Sequence, residues 1–170
     1  MFDFMMCVIG NDVDTSEQIL EKKYNMELTR IGHQYSSDQS PQNRESDDYR
    51  YDVQVEERGT VFDAICLSYS YLNKTGDDGK VYSIRYGSDM SHEDAAKCYK
   101  EFADYFFSKT GKTLGSSRDC FDSDDYCDTT TYAKDGYRFT ISLYYYASSD
   151  RVTFSVGCSN ETEEFYKRSS

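Results

Sequence analysis

The sequence is poor in histidine and lacks the common catalytic motifs. It contains no tryptophan, one proline and only two histidines, His33 and His92, among 170 residues. No nucleophile elbow, zinc-protease motif, phosphate-binding loop or dinucleotide fingerprint occurs. Histidine-based chemistry therefore has few residues to use, and we expect a protein that is not an enzyme. An unassigned hydrolase is an alternative, since a cysteine nucleophile and His92 can meet in space without being neighbours in sequence.

Long apolar runs are also missing. Residues 1–10 are apolar, but the run is short, contains Asp3 and lacks a basic leader, so it predicts neither a signal peptide nor a membrane span. We expect a first strand or a segment packed against the core, with no insertion into a membrane. The cysteines favour a reducing, cytoplasmic compartment, because Cys66, Cys98 and Cys158 fall within predicted strands or on a helix face as small buried hydrophobes. The alternative is an exported protein whose true start lies upstream.

Positive charge is scarce. The chain has 31 acidic and 19 basic residues, a formal net charge of -12. Phosphate binding requires clustered Lys and Arg, so this charge argues against direct binding of nucleic acid or an anionic membrane. It is compatible with a basic protein partner, or with a decoy that occupies a nucleic-acid-binding groove.

Metal and cofactor signals are absent. No Cys-x-x-Cys pair exists among the six cysteines, so structural zinc is not supported. Only Cys120 and Cys127, which flank a polar segment, suggest a local disulfide. The nearby aspartates do not have the spacing of a calcium-binding EF-hand, so we expect a solvated acidic loop and no metal or cofactor, with a calcium site as the alternative. These aspartates are Asp119, Asp122, Asp124, Asp125 and Asp128.

The pattern that is present is a repeat. Thr15-Ser-Glu-Gln recurs as Ser91-His-Glu-Asp after 76 residues, and Gly59-x-x-Phe62 recurs as Gly136-x-x-Phe139 after 77. We predict one domain over 1–170 with pseudo-repeats 14–88 and 91–158, each an αβββ unit, in which Phe62 and Phe139 take equivalent core positions. The alternative is that shared periodicity alone produces the match.

Two helices are predicted. The first begins at Thr15, which forms a capping box with Gln18. The second begins at Ser91 and ends before Gly111. Its apolar residues recur at three- and four-residue spacing, as expected for a helix buried on one side: Ala95, Cys98, Tyr99, Phe102, Ala103, Phe106 and Phe107.

Alternating residues predict the strands, over 26–35, 49–56, 62–71, 82–86, 137–145 and 152–156. The polar stretch 36–48 is predicted to be a flexible loop. The fold class is therefore α+β, a two-layer sandwich of an antiparallel sheet of about 6–7 strands with two helices on one face. This tandem layout is similar to that of the β-lactamase-inhibitory proteins, which bind through a sheet face, although the chain shares no motif with them.

The polar face of the sheet is the main candidate for function. Alternation places Tyr144 and Tyr146 on that face, opposite Tyr145, and tyrosines beside small hydroxyls are typical of adaptable binding surfaces. Arg50, Asp52 and Gln54 are the predicted polar neighbours. The alternative is that Thr and Tyr stand there only because they form strands well.

A second candidate surface depends on charge and consists of Asp122, Asp124 and Asp125. Together these features predict an acidic protein that is not an enzyme and that neutralises or inhibits a macromolecular partner, in the manner of immunity or anti-defence proteins. The partner is expected to be a protein, and the negative charge is compatible with a basic one. The alternative from another class is an exported or surface-anchored bacterial module that binds a ligand.

Overall fold

The structure is a computed structural model that describes residues 1–37, 45–71, 79–121 and 124–160. These residues form three helices and one antiparallel sheet of eight strands. The helices are α1 (Phe2–Val8), α2 (Val13–Tyr24) and α3 (His92–Thr110). The strands are β1 (Arg30–Ser37), β2 (Glu45–Glu57), β3 (Thr60–Tyr71), β4 (Lys80–Ser91), β5 (Thr113–Cys120), β6 (Tyr126–Lys134), β7 (Tyr137–Tyr145) and β8 (Arg151–Asn160).

The sheet is built from two meanders that meet in its middle. The strand order is β1-β2-β3-β4-β8-β7-β6-β5. Each half therefore begins with a strand at an edge of the sheet and ends with a strand at its centre, where β4 and β8 pair with each other. The predicted α+β class is confirmed. Each half carries four strands instead of three, and the totals of eight strands and three helices exceed the prediction.

Two matching hairpins turn the chain at Arg58-Gly59 and at Asp135-Gly136. The φ angles are positive at all four residues, 56° and 78° in the first turn and 53° and 84° in the second. Positive φ at both central residues is the mark of the type I′ turn, whose twist suits a two-residue hairpin. Phe62 and Phe139 each follow three residues after the turn glycine, and both are fully buried.

The N-terminal segment is a helix and not the strand that was one of two expectations. Phe2, Met5 and Val8 recur at three-residue spacing and are all buried, which a helix achieves by placing them on one side. The other expectation, packing against the core, is confirmed, because the Phe2 ring stacks on that of Phe139.

The start of α2 also differs from the prediction. Its N-cap is Asp12, whose Oδ1 accepts a hydrogen bond of 2.8 Å from the Thr15 backbone N–H. The predicted cap, Thr15, therefore lies inside the first turn, which brings Val13 to the core. In α3 the prediction is confirmed, since Ser91 caps its start and Gly111, with φ 75°, ends it.

Strands β5 and β6 replace what the sequence suggested was an acidic loop. Every residue of β5 is exposed, so the strand has no apolar alternation by which to recognise it. The predicted flexible loop 36–48 is likewise shorter, because β1 reaches residue 37 and β2 begins at residue 45. Its remainder, 38–44, lies outside the described residues. In β4, Val81 is buried, whereas Tyr82, the first residue of the predicted strand, is only half-buried.

One hydrophobic core lies between the helices and one face of the sheet. Phe62, Phe102 and Phe154 meet at its centre, with ring centroids 5.7 to 6.1 Å apart. The core joins residues of both halves into a single cluster. The opposite face of the sheet is therefore the surface that the described helices leave uncovered.

Candidate functional site

We call the sheet face opposite the helices the open face. Paired residues of neighbouring strands lie on the same face, and the buried pair Tyr51 and Ile65 marks the core side. The residues one step along each strand thus define the open face. Its middle row runs across the sheet as Arg50, Cys66, Arg85, Gly157, Thr140, Thr131 and Gly115.

Small side chains form the middle of the open face. The neighbouring rows contribute serines and threonines, and the middle row has Gly157 at its centre. A Cβ atom at Gly157 would lie 3.1 Å from the Ile84 carbonyl oxygen and 3.3 Å from Thr140 Oγ1, closer than most side chains tolerate. The result is a depression with a cavity of about 190 Å³. The hydroxyls that line it are those of Ser68, Ser83, Thr140, Ser142, Tyr144 and Ser159.

Arg85 supplies the positive charge of this cavity, which we call the Arg85 cavity. The surrounding protein removes part of the water around its guanidinium, which lowers the pKa of Arg85. The Cys66 thiol, the Tyr144 hydroxyl and the Asp48 carboxylate outweigh that effect and leave the pKa above its usual value. Arg85 remains solvent-exposed. Within the part of the chain that the structure describes, no carboxylate lies within ion-pair distance of Arg85.

Tyr144 borders the Arg85 cavity on β7, on the open face as predicted. Its side chain is half-buried, and its ring lies nearly parallel to that of Phe121, with centroids 6.5 Å apart. Burial and the adjacent Cys127 thiol raise the pKa of Tyr144. Tyr145 lies on the opposite face, where its ring stacks on Tyr126 at 4.4 Å. Two aromatic clusters thus flank β7.

Two exposed aromatic residues lie near the same end of the sheet. Phe121, in the β5–β6 turn, is 60% exposed, and Tyr146, just after β7, is 44% exposed. Aromatic residues are among the residue types that most often anchor protein contacts, and these two are exposed beside a polar sheet face. We refer to Phe121, Tyr144 and Tyr146 as the aromatic corner.

The predicted polar neighbours occupy the other half of the open face. Arg50 and Asp52 are both exposed and form an ion pair of 3.8 Å. Gln54 lies in the irregular part of β2, where the pairing with β3 shifts register. These residues line a second, wider depression together with Met26, Val53, Asp63 and Asp89. Four strand spacings, about 19 Å, separate Arg50 on β2 from β7, the strand that carries Tyr144.

Arg50 and Asp52 thus form an ion pair, but the structure keeps them and Gln54 apart from Tyr144 on the same face. Arg85 lies between the two groups, on the strand where the halves of the sheet join. It was not predicted, because nothing in the sequence shows that β4 pairs with β8. Phe121 was also missed, since its neighbours Cys120 and Asp122 indicate only a polar turn.

The aspartates of the acidic segment do not form one surface. Asp119 is on the open face, whereas Asp128 is on the other and binds Arg118 through two hydrogen bonds of 2.6 and 2.7 Å. Asp125 accepts a hydrogen bond of 2.8 Å from the Ala147 backbone N–H. Asp124 is exposed, and Asp122 lies outside the described residues. The predicted charge-based surface therefore has only Asp124 and Asp125 described, and Asp125 already has a structural partner.

Charge on the open face is mixed. The exposed carboxylates of Asp48, Asp52 and Asp89 accompany the guanidinium groups of Arg50 and Arg85. Any partner bound here therefore meets both signs of charge.

The suggested disulfide is not formed. Cys120 pairs with Tyr126 and Cys127 with Asp119, so the two thiols lie on opposite faces of the β5–β6 ladder. Both are free in the structure. Adjacent antiparallel strands cannot bridge side chains that point to different faces.

Among the described residues, no three His, Cys, Asp or Glu side chains are grouped so as to hold a metal ion. His92, at the start of α3, is exposed, and its ring lies 5.7 Å from that of Tyr145. None of the described helices combines the length and the apolar character needed to cross a membrane. Comparison of the chain with protein-family models, with curated proteins and with solved structures gave no match.

Proposed function

We propose that the protein binds a protein partner through the open face and neutralises it without catalysing a reaction. The observation that carries this proposal is the aromatic corner, where Phe121 and Tyr146 are exposed at the edge of a sheet face that no described helix covers. Rings in such a place bury a large apolar area at little cost in side-chain entropy.

The surrounding residues suit a protein contact better than a membrane or a nucleic acid. Thr140 and Ser159 are half-buried and line the same cavity as Tyr144, so their hydroxyls can donate or accept hydrogen bonds there. The face carries carboxylates among its guanidinium groups, so it lacks the continuous positive surface that a phosphate backbone requires. A hydroxyl-rich face with a few large rings is the composition of a polar, adaptable interface.

The acidic excess of the chain leads us to propose a basic partner, with attraction that acts over a distance before contact. Contact itself would then depend on the aromatic corner. The two contributions differ in their salt dependence, because salt weakens exposed charge pairs and leaves apolar burial largely unchanged.

The experiment is an affinity capture from lysate, with the unaltered protein and two variants run in parallel. One variant removes exposed rings of the aromatic corner, Phe121→Ala with Tyr146→Ala. The other, Phe107→Ala, is the matched control, since Phe107 is 53% exposed on α3, on the other side of the molecule. The partner of interest is a protein retained by the unaltered chain and by the control but lost with the double variant.

The captured protein is then purified and its own activity is measured with and without added chain. We expect inhibition that saturates at one chain per binding site. A captured protein whose activity does not change would contradict neutralisation. A chain whose captured proteins are all retained by the double variant would contradict the open face as the binding surface.

A further inference from the structure

We propose that the Arg85 cavity receives one carboxylate of the partner, supplied by an acidic side chain. This inference rests on the proposed function, because it names the group recognised on the same face. It concerns a part of the open face that the sequence did not indicate. The aromatic corner would provide binding area, and the Arg85 cavity would set the register of the partner.

The shape of the cavity fits a small polar group. Its volume of about 190 Å³ lies in the middle of the sheet, above Gly157. A single water needs only about 10–15 Å³ measured in this way, so a carboxyl group enters without rearrangement of the strands. The cavity depends on this glycine, because a side chain at position 157 would crowd the Ile84 carbonyl oxygen and Thr140 Oγ1 and fill the bottom of the cavity.

Arg85 gives the cavity a group that binds an anion. The Arg85 guanidinium has five N–H donors in a planar fork, and a carboxylate matches that fork with two parallel hydrogen bonds. No described carboxylate occupies this position within ion-pair distance. The hydroxyls of Ser83 and Thr140 line the same space and can donate further hydrogen bonds to an anionic oxygen.

The remaining lining favours a carboxylate on a peptide over a free inorganic anion. Asp48 lies on one side of the cavity, and its negative charge opposes a doubly charged ion such as phosphate. The same carboxylate can accept a hydrogen bond from an N–H group next to the ligand. A peptide offers this combination, since the backbone N–H of an acidic residue lies close to its side-chain carboxylate.

The first test needs no partner. The isotopically labelled protein is titrated with N-acetyl-aspartate amide, whose single charge is a side-chain carboxylate, while the Arg85 Nε–H and Gly157 backbone signals are followed by NMR. We expect saturable shifts at millimolar probe. N-acetyl-asparagine amide has the same shape without the charge, and we expect it to produce no saturable shift. Two further probes are titrated in the same way. N-acetyl-glycine tests a carboxylate at a chain terminus, and inorganic phosphate tests a free anion.

Each probe result decides for or against the proposal. Absence of saturation with the aspartate probe overturns it, as does equal binding of the asparagine probe. If N-acetyl-glycine binds more tightly than the aspartate probe, the carboxylate comes from a chain terminus. That result overturns the assignment to an acidic side chain. Preference for phosphate overturns the carboxylate assignment altogether.

Two variants test the role of Arg85 itself. Arg85→Gln should weaken the aspartate probe about tenfold or more, because a charge-assisted hydrogen bond is replaced by a neutral one. Arg138→Gln is the control, since Arg138 is exposed on the open face but does not line the cavity. Equal affinity of Arg85→Gln and the unaltered chain for the aspartate probe would contradict the proposal. Where the variant loses affinity, an unchanged backbone NMR spectrum excludes misfolding as the cause.

The partner experiment separates failure of this inference from failure of the proposed function. If the partner binds the unaltered chain and Arg85→Gln equally, the carboxylate assignment is wrong while the binding function stands. If no protein is captured at all, the function is wrong, and the probe titration still decides whether the cavity binds carboxylates.

Discussion

The ring of Phe2 stacks on the ring of Phe139, with centroids 3.9 Å apart and planes inclined by 14°. The first helix of the chain thus contacts a strand of the second half of the sheet. Phe139 is also in contact with Phe106 of α3, at 5.6 Å between centroids. The two halves therefore share one core and cannot unfold independently without exposing these rings.

This contact predicts a single unfolding transition and a large effect of truncating Phe2. Phe2 is 1% exposed, so Phe2→Ala should lower the free energy of unfolding by about 3–5 kcal/mol through lost burial and a cavity. Chemical denaturation followed by far-UV circular dichroism and by tyrosine fluorescence measures it. Phe107→Ala, at an exposed position of α3, is the control and should cost less than about 1 kcal/mol. Two separate transitions would contradict the shared core.

Acid stability should depend on Glu17 and Glu57, which join α2 to β2. Tyr51 and Arg30 donate hydrogen bonds to Glu17, at 2.6 Å each, while Glu57 accepts one of 2.7 Å from Tyr24 and pairs with Lys23. Burial raises the pKa of each carboxyl, but these donors outweigh it and leave both pKa values below the usual range.

Because the folded pKa values are lowered, the stabilisation is present above the unfolded pKa of about 4.3 and is lost as pH falls through the folded values. The melting temperature measured between pH 7 and pH 2 should therefore drop steeply at the acid end. Glu17→Gln and Glu57→Gln should flatten that drop. Glu101→Gln, at an exposed position of α3, should leave it unchanged, and an equal flattening there would contradict the assignment.

The two type I′ turns should respond alike to loss of glycine. Gly59 and Gly136 have φ of 78° and 84°, where a Cβ atom is unfavourable. A Cβ atom at Gly59 would have no atom of the described structure within 4 Å, so only the backbone opposes it there. Gly59→Ala and Gly136→Ala should each cost about 1 kcal/mol through backbone strain. Thermal denaturation compares the two variants. A cost confined to one turn would show that the hairpins are not equivalent.

The sequence was sufficient where one face of an element is buried. The alternation of Phe139, Ile141 and Leu143 predicted β7 and its two faces, and the spacing of Phe102 and Phe106 predicted α3, because burial on one side leaves a period in the sequence. The recurrence of Gly-x-x-Phe likewise predicted core positions for Phe62 and Phe139, and both side chains are fully buried.

Prediction failed where that period is missing. Strand β5 is exposed along its whole length, so Thr113–Cys120 carries no alternation. Strand β6 buries Cys127, Thr130 and Tyr132, a mixture of polar and apolar residues that resembles a loop. The position of Arg85 followed from the pairing of β4 with β8, a contact between distant segments that no local pattern specifies.

The most direct test of the central claim is an equilibrium titration of the purified partner with three forms of the chain at two salt concentrations. We expect Phe121→Ala with Tyr146→Ala to weaken binding by about a hundredfold, as loss of two aromatic anchors does, and Phe107→Ala to change it by less than about twofold. Unchanged affinity of the double variant, with its melting temperature also unchanged, would contradict the open face as the binding surface.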